Sequence, residues 1–434
     1  MNYKIIKWKN YGFINPRLDP DSGLAITLDK CLSYEKKGIE FMPNKAWGIV
    51  HLFNRKKSMF AWGLLKMVEK VMDKYCAVHQ HTFIIEHSPP IKEMIDMPKL
   101  RPYQLEAVNA LLKNNGGILR IPTAGGKTIT IIEYLKLMNR RTLIICTTLD
   151  ICRQWREYDL PNMTVSTYQN PQLKKKEVME SYDIIVFDES HHASSKTIFG
   201  HALRTNTNAI LIGVSATGRD DGEDMRVHAA LGPIVYEISR KQLIAEGYLS
   251  NAMITYLRPF FANDGRYMKY QQLYDLEIVH NSNRNDLIIM TAAKEARNKR
   301  KVLILVATIE HGNILLEMLS PFKNELSIIF MNGKSKDRDQ DMSQYNIIIA
   351  TSIYDEGYNL TSLDTLILGG AGRSAVKITQ RIGRVLRQKT DGRIAKVYDF
   401  IDTPRYIRAQ YMRRRKILAE EFDIIEQEKQ TILE

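Results

Sequence analysis

From residue 117 onward, short uninterrupted apolar runs alternate with stretches of helical character. Such runs are typical of strands in a parallel sheet that is covered by helices on both faces, because neither face of the strand meets water. The pattern stops near residue 214 and restarts near residue 302, so it predicts two α/β domains joined around residues 236–250. The predicted strands are Gly117–Ile121, Thr142–Cys146, Ile184–Phe187 and Ala209–Val214 in the first domain, and Val302–Val306, Leu326–Met331, Ile347–Ala350, Thr365–Leu368 and Ala395–Phe400 in the second.

The N-terminal residues carry a different mixture of patterns. Leu24–Leu28 is an apolar stretch that predicts a strand, whereas apolar residues between Met59 and Tyr75 recur at helical spacing. Prolines at positions 89, 90 and 98 disfavour helix just before them and indicate a boundary there. The predicted domains are a small α+β domain over 1–96, a first α/β domain over 97–240, and a second over 241–434 that ends in a charged helix over 406–433.

Composition and charge narrow the class of protein. The 434 residues include 62 Lys and Arg against 49 Asp and Glu, a formal net charge of +13. This excess favours a polyanionic partner, and nucleic acid is the most economical one. Four cysteines are too few for a disulfide framework, and no apolar run reaches the ~18 residues that cross a bilayer. We expect a soluble intracellular protein, cytoplasmic in a prokaryotic or viral host, with no membrane partner.

One loop has the composition of a phosphate-binding site. A predicted strand runs into this loop and a predicted helix follows it, so backbone N–H groups and the helix N-terminus would point at bound phosphates. The loop residues are Pro122, Thr123, Ala124, Gly125, Gly126, Lys127 and Thr128. We expect Lys127 to neutralise the β- and γ-phosphates of ATP and the Thr128 hydroxyl to hold Mg²⁺.

Two adjacent carboxylates follow another predicted strand. Ile184–Phe187 delivers Asp188 and Glu189 to the carboxyl end of the sheet, where open α/β sheets bind ligands. Two neighbouring carboxylates can have different roles, one as a metal ligand and one as a general base. We expect Asp188 to hold the Mg²⁺ of MgATP, directly or through water, and Glu189 to orient and deprotonate the attacking water.

An arginine-rich segment far downstream predicts a second half-site. In Gln380-Arg-Ile-Gly-Arg-Val-Leu-Arg387, helical spacing would put Arg384 and Arg387 on one face. Planar guanidinium groups can spread the charge that builds on a transferring phosphoryl group. The alternative is a basic surface helix. With the phosphate loop, this segment predicts two lobes that close on one nucleotide.

In order and spacing, these segments resemble the superfamily 2 helicases over roughly residues 98–400. Asp188-Glu-Ser-His191 has the DExH form of the carboxylate motif. Arg101-Pro-Tyr-Gln104, and Arg219-Asp-Asp221 after Ser215-Ala-Thr217, look most similar to the XPB-like and UvsW-like branch. The resemblance implies an α/β fold of two tandem RecA-like domains, each a parallel sheet with flanking helices, beside the small α+β N-terminal domain. Ala124 departs from it, because many helicases have glycine there.

The resemblance also implies roles for individual residues. Those assigned to ATP binding, in addition to the phosphate loop, are Arg101, Gln104 and Gly357. Those assigned to catalysis are Lys127, Asp188, Glu189, Gln380, Arg384 and Arg387, with Arg387 as the arginine finger. Those that would couple hydrolysis to lobe movement are His191, Ser215 and Thr217, and those that would contact the nucleic-acid backbone are Thr148, Thr167 and Thr351.

Together these features predict a nucleic-acid-dependent ATPase that uses ATP and Mg²⁺ to unwind or remodel duplex, forked or branched DNA, with movement 3′ to 5′ implied by the resemblance. Three alternatives stay open. They are an RNA helicase, the motor subunit of a restriction system, and a nucleic-acid-binding protein with a relic ATP site. Retention of Lys127, Asp188, Glu189 and Arg387 argues against the relic.

The N-terminal segment is itself basic. Residues 1–99 hold 16 Lys and Arg against 10 Asp and Glu. Arg55–Lys57 lies beside Phe53 and Phe60, which predicts either a surface that stacks on nucleic acid or a solvated charged face with its aromatic rings in the core. We expect an accessory domain that binds DNA.

Overall fold

The computed structural model forms two compact units, one of residues 1–121 and 126–238, the other of residues 122–125 and 239–434. The residues that the structure describes are 2–8, 10–36, 39–42, 44–86, 99–190, 200–202, 205, 208–216, 224–249, 251–332, 344–351, 363–370, 394–421 and 427–429. Among the helices in these ranges, none is both long and apolar enough to cross a membrane.

The N-terminal part of the first unit is a small α+β layer. Its elements are β1 (Asn2–Trp8), β2 (Tyr11–Asn15), α1 (Gly23–Cys31), β3 (Ser33–Glu35), β4 (Ile49–His51), β5 (Phe53–Asn54), β6 (Met59–Ala61), α2 (Leu65–His79) and β7 (Thr82–Glu86), with short 3₁₀ helices at Ile39–Phe41, Lys45–Gly48 and Trp62–Leu64. Five strands form one sheet in the order β5–β6–β2–β1–β7, and β3 pairs with β4 separately. The two helices pack against each other beside the five-stranded sheet.

Two local predictions in this region were wrong. Leu24–Leu28 is part of helix α1, because the Ser22 hydroxyl caps the helix by accepting from the Ala25 amide. Leu24, Ala25 and Leu28 are buried along one helical face, a spacing that an isolated five-residue apolar run does not distinguish from a strand. The helix predicted from Met59 begins only at Leu65, since β6 occupies the first positions.

The rest of the first unit is an entirely parallel sheet with flanking helices. Its elements are α3 (Pro102–Asn114), β8 (Gly117–Arg120), α4 (Lys127–Met138), β9 (Thr142–Cys146), α5 (Leu149–Arg156), β10 (Met163–Thr167), a 3₁₀ helix at Pro171–Lys174, α6 (Lys176–Glu180), β11 (Ile184–Asp188), β12 (Ile210–Ser215), α7 (Asp224–Leu231) and β13 (Ile234–Glu237). The strand order is β10–β9–β11–β12–β8–β13. The four strands predicted for this region are all present, and their inner residues are buried.

The second unit contains another parallel sheet. Its elements are α8 (Arg240–Ala245), β14 (Ala252–Leu257), α9 (Tyr270–Tyr274), a π-helical turn at Asp275–Val279, α10 (Ser282–Arg297), β15 (Val302–Val306), α11 (Ile309–Met318), a 3₁₀ helix at Ser320–Phe322, β16 (Ile328–Met331), β17 (Ile347–Thr351), β18 (Thr365–Ile367), β19 (Ala395–Phe400), α12 (Arg405–Glu421) and β20 (Gln427–Lys429). The strand order is β16–β17–β15–β18–β19–β14–β20. The two sheets confirm the predicted fold class of tandem RecA-like domains. The predicted C-terminal helix was too long, because β20 pairs with β14 inside the stretch assigned to it.

The N-terminal layer and the first parallel sheet share a core. Met225 and Ala229 of α7 pack into the apolar cluster beneath the N-terminal sheet. Close approach at this contact requires glycine, because a Cβ on Gly63 would lie 2.0 Å from the His228 carbonyl oxygen. The Asn10 amide also donates to the Ala202 carbonyl at 2.6 Å. The N-terminal layer is therefore a packed part of the first unit.

Helix α12 is held to the second sheet by a buried ionic network. The fully buried Arg414 donates to the Asp399 carboxylate at 3.0 Å and to Asp402 at 2.9 Å. Arg284, also buried, lies 3.4 Å from the other oxygen of Asp402. Removing one member of such a network leaves an uncompensated buried charge, at a cost of about 3–5 kcal/mol.

Candidate nucleotide-binding site

The loop between β8 and α4 has the backbone of a phosphate cradle. Gly126, at φ +77°, is the N-cap of α4, so Lys127 is the first residue of the helix. The Gly125 amide donates to the Pro122 carbonyl at 2.9 Å and tightens the turn. Ala124 has φ +68°, a left-handed conformation that glycine adopts freely and that costs other residues about 1–2 kcal/mol. This conformation accounts for the glycine that many helicases have at that position.

Gln104 lies against this loop, and its predicted contact with adenine stays a prediction. It is buried at the start of α3, and its Oε1 accepts from the Arg101 amide at 3.0 Å. A Cβ on Gly126 would lie 2.2 Å from its Nε2. The helix start therefore orients the glutamine amide toward the phosphate loop, where it could read the edge of a bound base.

Lys127 and Glu189 meet although they are far apart in sequence. The Lys127 Nζ lies 3.9 Å from the Glu189 Oε1, and the two side chains are 14% and 19% exposed. Lys127 follows β8 and Glu189 follows β11, strands that β12 separates in the sheet. The parallel topology brings both residues to the same carboxyl edge.

Asp188 has both carboxylate oxygens engaged. Its Oδ2 accepts from the Trp155 indole Nε1 at 2.8 Å, and its Oδ1 accepts from the Glu189 amide at 2.9 Å. Glu189 itself has φ +51°, a strained value for a residue with a side chain. Strain of this kind concentrates at functional sites, where the surrounding structure enforces it. Here the Glu189 amide donates a hydrogen bond to Asp188, within the turn that presents the Glu189 side chain.

Trp155 is the site residue that sequence reasoning missed. It is 2% exposed and lies on α5. A buried indole N–H needs an acceptor, so a tryptophan on a helix beside the carboxylate strand was a usable signal. The sequence alone does not specify which acceptor it meets.

Two buried thiols lie beside the same carboxylate. Cys146 ends β9 and Cys152 lies on α5. Their mutual hydrogen bond and burial raise the pKa of the Cys146 thiol, and the charge of Asp188 raises it further. Burial and the hydrogen bond with Cys152 therefore favour the neutral thiol at Cys146.

Ser215 is tied to the strand that enters the phosphate loop. It ends β12 and is buried, and its carbonyl accepts from the Ile121 amide at 3.1 Å. A shift of Ser215 would therefore be transmitted to the base of the loop. This geometry is compatible with the coupling role predicted for Ser215, which stays a prediction.

Two of the three threonines predicted to contact nucleic acid lie in the first unit. Thr148 caps α5, with its hydroxyl accepting from the Ile151 amide at 3.4 Å, and Thr167 ends β10. Both are partly exposed at the carboxyl edge of the sheet. Thr351 ends β17 in the second unit, where its buried hydroxyl lacks a hydrogen-bond partner among the described residues.

Several predicted site residues lie outside the described ranges, and their roles stay predictions. They are His191, Thr217, Gly357, Gln380, Arg384 and Arg387.

The described residues fit MgATP. Lys127 would offer a cation to bound phosphates, and the first turn of α4 would offer backbone amides that a helix start leaves without intrahelical partners. Thr128 and Asp188 offer the hydroxyl and carboxylate oxygens that Mg²⁺ prefers.

In the basic N-terminal segment, the structure agrees in part with a solvated charged face whose aromatic rings lie in the core. Phe53 and Phe60 are buried in the core and cannot stack on nucleic acid, and Arg55 is paired with Asp21 at 2.9 Å. Lys56 and Lys57 remain exposed in the turn between β5 and β6. Any DNA contact here would therefore come from lysine charge, not from these rings.

Two family models match the chain. Residues 97–160 and 157–220 match the family described as type III restriction enzyme, res subunit. Residues 278–389 match the helicase conserved C-terminal domain. The matches cover the phosphate loop, the carboxylates and the arginine-rich segment.

Curated relatives and solved structures agree with these matches. The chain is 28% identical to the DNA 3′-5′ translocase XPB2 of Sulfurisphaera tokodaii over 361 residues, which cover 69% of this chain and 81% of the relative. It is 22% identical to the ATP-dependent DNA helicase UvsW of Enterobacteria phage T4, covering 92% and 91% of the two chains. The structure of S. cerevisiae Dbp5 bound to RNA and ADP BeF3 is similar in fold, with a TM-score of 0.54 at 13% identity, covering 83% of this chain and 93% of that one. With the phosphate loop and the DExH carboxylates in place, these matches identify the chain as a superfamily 2 helicase of the XPB-like and UvsW-like branch.

Proposed function

We propose that this protein is an ATP-dependent DNA helicase or translocase that moves 3′ to 5′ and unwinds or remodels duplex or branched DNA. The observation that carries the proposal is the meeting of Lys127 and Glu189, 3.9 Å apart, beside Asp188. A cation and two carboxylates at the end of a phosphate cradle are the parts that phosphoryl transfer to water requires. A relic site would have no use for the strained Glu189 backbone.

The described residues can perform the following steps. Lys127 and the amides of the first turn of α4 bind and orient the phosphates of ATP. Bound Mg²⁺ supplies positive charge that neutralises phosphate oxygens during transfer. Asp188 is oriented in advance by two donors, and Glu189 is placed to orient the attacking water and accept its proton. Arg387, by resemblance, would complete the site.

Charge and geometry support a nucleic-acid substrate, and the names of two relatives favour DNA. The chain has a net charge of +13, and the names of XPB2 and UvsW both specify DNA. Thr148 and Thr167 lie at the same sheet edge as Glu189, so a strand bound there would be close to the hydrolytic site. The direction of movement follows from the name of XPB2.

The N-terminal layer would add affinity for duplex or forked DNA. Because it shares a core with α7, its role is better tested by surface substitutions than by deletion. Replacing both Lys56 and Lys57 by Ala should weaken binding to forked DNA and lower the slope of log affinity against log salt by about 0.9 per lost phosphate contact. Lys74→Ala, an exposed lysine on α2, is the matched control. Equal affinity of the double variant and wild type at every salt concentration would assign this turn no DNA contact.

The deciding experiment is a steady-state ATPase assay with single-stranded DNA, duplex DNA, forked DNA and RNA side by side. Stimulation by DNA above RNA, together with ATP-dependent unwinding of a duplex with a 3′ tail, is the expected result. Greater stimulation by RNA would favour an RNA helicase. Absence of hydrolysis with every nucleic acid would favour a relic site.

A further inference from the structure

Helix α5 connects the predicted nucleic-acid contact at Thr148 with the carboxylate of Asp188, which lie in separate sequence motifs. At its beginning, Thr148 provides the N-cap and stands where the chain was predicted to contact nucleic acid. In its last turn, Trp155 donates to the Asp188 carboxylate. The helix has 8 residues, about 12 Å at 1.5 Å per residue, so one short rigid element spans this distance.

The contact at Trp155 is specific. The indole Nε1 lies 2.8 Å from Asp188 Oδ2, and the ring is 2% exposed. The indole is buried against the carboxylate, so loss of the N–H would remove this protein donor from Asp188 Oδ2. Because Glu189 donates to the other oxygen, the two donors fix the rotation of the carboxylate about its side-chain bonds.

A small cavity lies beside the two carboxylates. It has a volume of about 10 Å³ and is lined by residues that include Thr147, Tyr168, Asp188 and Glu189. The Thr147 hydroxyl is buried and has no hydrogen-bond partner in the described part of the chain. This hydroxyl precedes Thr148, the N-cap of α5, and lines the same cavity as the two carboxylates.

We propose that Trp155 is a positioning residue that orients Asp188 toward Mg²⁺, and that α5 makes this orientation responsive to nucleic acid bound near Thr148. The inference rests on the proposed function. Outer partners of metal-binding carboxylates set metal affinity, and their loss commonly costs 10–100-fold in affinity or activity. A shift of the helix start by a bound strand would move the indole donor and so adjust the carboxylate.

Trp155→Phe is the central variant, because it keeps an aromatic ring in the core and removes only the donor and part of the ring area. The free Mg²⁺ concentration for half-maximal ATPase should rise about 10–100-fold. Activity should return toward wild type at high Mg²⁺, and the stimulation by DNA should fall. Trp47→Phe, at an exposed position outside the parallel sheet, is the matched control and should leave all three quantities unchanged.

A second measurement does not depend on activity. The chain contains four tryptophans, so its indole N–H groups give a small set of resonances in a ¹⁵N-labelled sample. Trp155→Phe identifies one of them, and Asp188→Ala should shift that resonance because its acceptor is gone. Addition of a DNA strand to wild type should also shift it.

The outcomes separate this inference from the proposed function. Wild-type ATPase stimulated by DNA, with an unchanged Mg²⁺ requirement in Trp155→Phe, would overturn the inference alone. Loss of activity in Trp155→Phe that high Mg²⁺ does not restore, with a lowered melting temperature, would make the role merely structural and also overturn it. A wild type without ATPase under any condition would overturn the proposed function and this inference with it.

Discussion

A Cβ on Gly126 would lie 2.2 Å from the Nε2 of Gln104, so the glutamine amide occupies the space that a side chain in the phosphate loop would need. Gln104 is held there by the Arg101 amide, which donates to its Oε1. The start of α3 and the start of α4 are therefore fitted to each other.

This contact and the backbone angles of the loop predict different effects for two changes in it. Gly126→Ala should reduce kcat/KM for ATP by at least 10-fold, because it adds a clash with Gln104 to a backbone at φ +77°. Ala124→Gly should retain full activity, because glycine relieves the left-handed conformation at φ +68°. Steady-state kinetics of both purified variants test the pair. Equal activity of Gly126→Ala and wild type would contradict the fitted arrangement.

Lys127→Ala and Glu189→Gln should both abolish turnover, but by different routes. Lys127→Ala removes the cation for the phosphates and should weaken nucleotide binding as well as hydrolysis. Glu189→Gln keeps the volume of the side chain and should bind ATP without cleaving it. Binding of a fluorescent ATP analogue, measured beside the ATPase rate, distinguishes the two. Normal turnover in either variant would overturn the assignment.

Arg387→Ala should lower kcat by about 10³-fold or more, as loss of an arginine finger does. DNA binding in the absence of nucleotide should change little, because the predicted target of the guanidinium is phosphate of ATP. Arg408→Ala removes one exposed positive charge from the same unit and serves as the control. An Arg387→Ala variant that hydrolyses ATP normally and loses DNA binding would reverse the assignment.

We expect the free energy of unfolding to fall in acid because of the buried His311. Burial lowers the pKa of this histidine to about 3, and its Nε2 lies 2.9 Å from Asn285 Oδ1. Its pKa is depressed in the folded state, so the unfolded chain binds more protons as the pH falls below about 6.5. The free energy of unfolding of the second unit should fall by about 2 kcal/mol between pH 7 and pH 5 from this residue alone.

Denaturant unfolding at several pH values, compared between wild type and His311→Gln, measures that contribution. The amide of glutamine can donate to Asn285 and does not titrate, so the variant should lose this part of the pH dependence. An unchanged pH dependence in His311→Gln would show that other groups carry it.

The sequence by itself determined the fold class, since an uninterrupted apolar run such as Val302–Val306 suits few places other than the middle of a parallel sheet. It also located the phosphate loop and the carboxylate strand, because backbone geometry and phosphate chemistry restrict which residues can stand there. It did not distinguish helix from strand at Leu24–Leu28, where an N-cap decided the outcome. It also missed β14, the neighbour of β19.

Only the tertiary structure decided which residues meet. Lys127 and Glu189 come together because β8 and β11 end at one sheet edge with β12 between them, and this strand order is not written in either motif. Trp155 reaches Asp188 because α5 packs beside β9 and β10, which a local pattern cannot reveal. Phe53 and Phe60 enter the core for a similar reason, since burying an aromatic ring is worth more than leaving it exposed beside a charged turn. A motif can be recognised from a few neighbouring residues, whereas the contacts between motifs depend on the packing of the whole sheet.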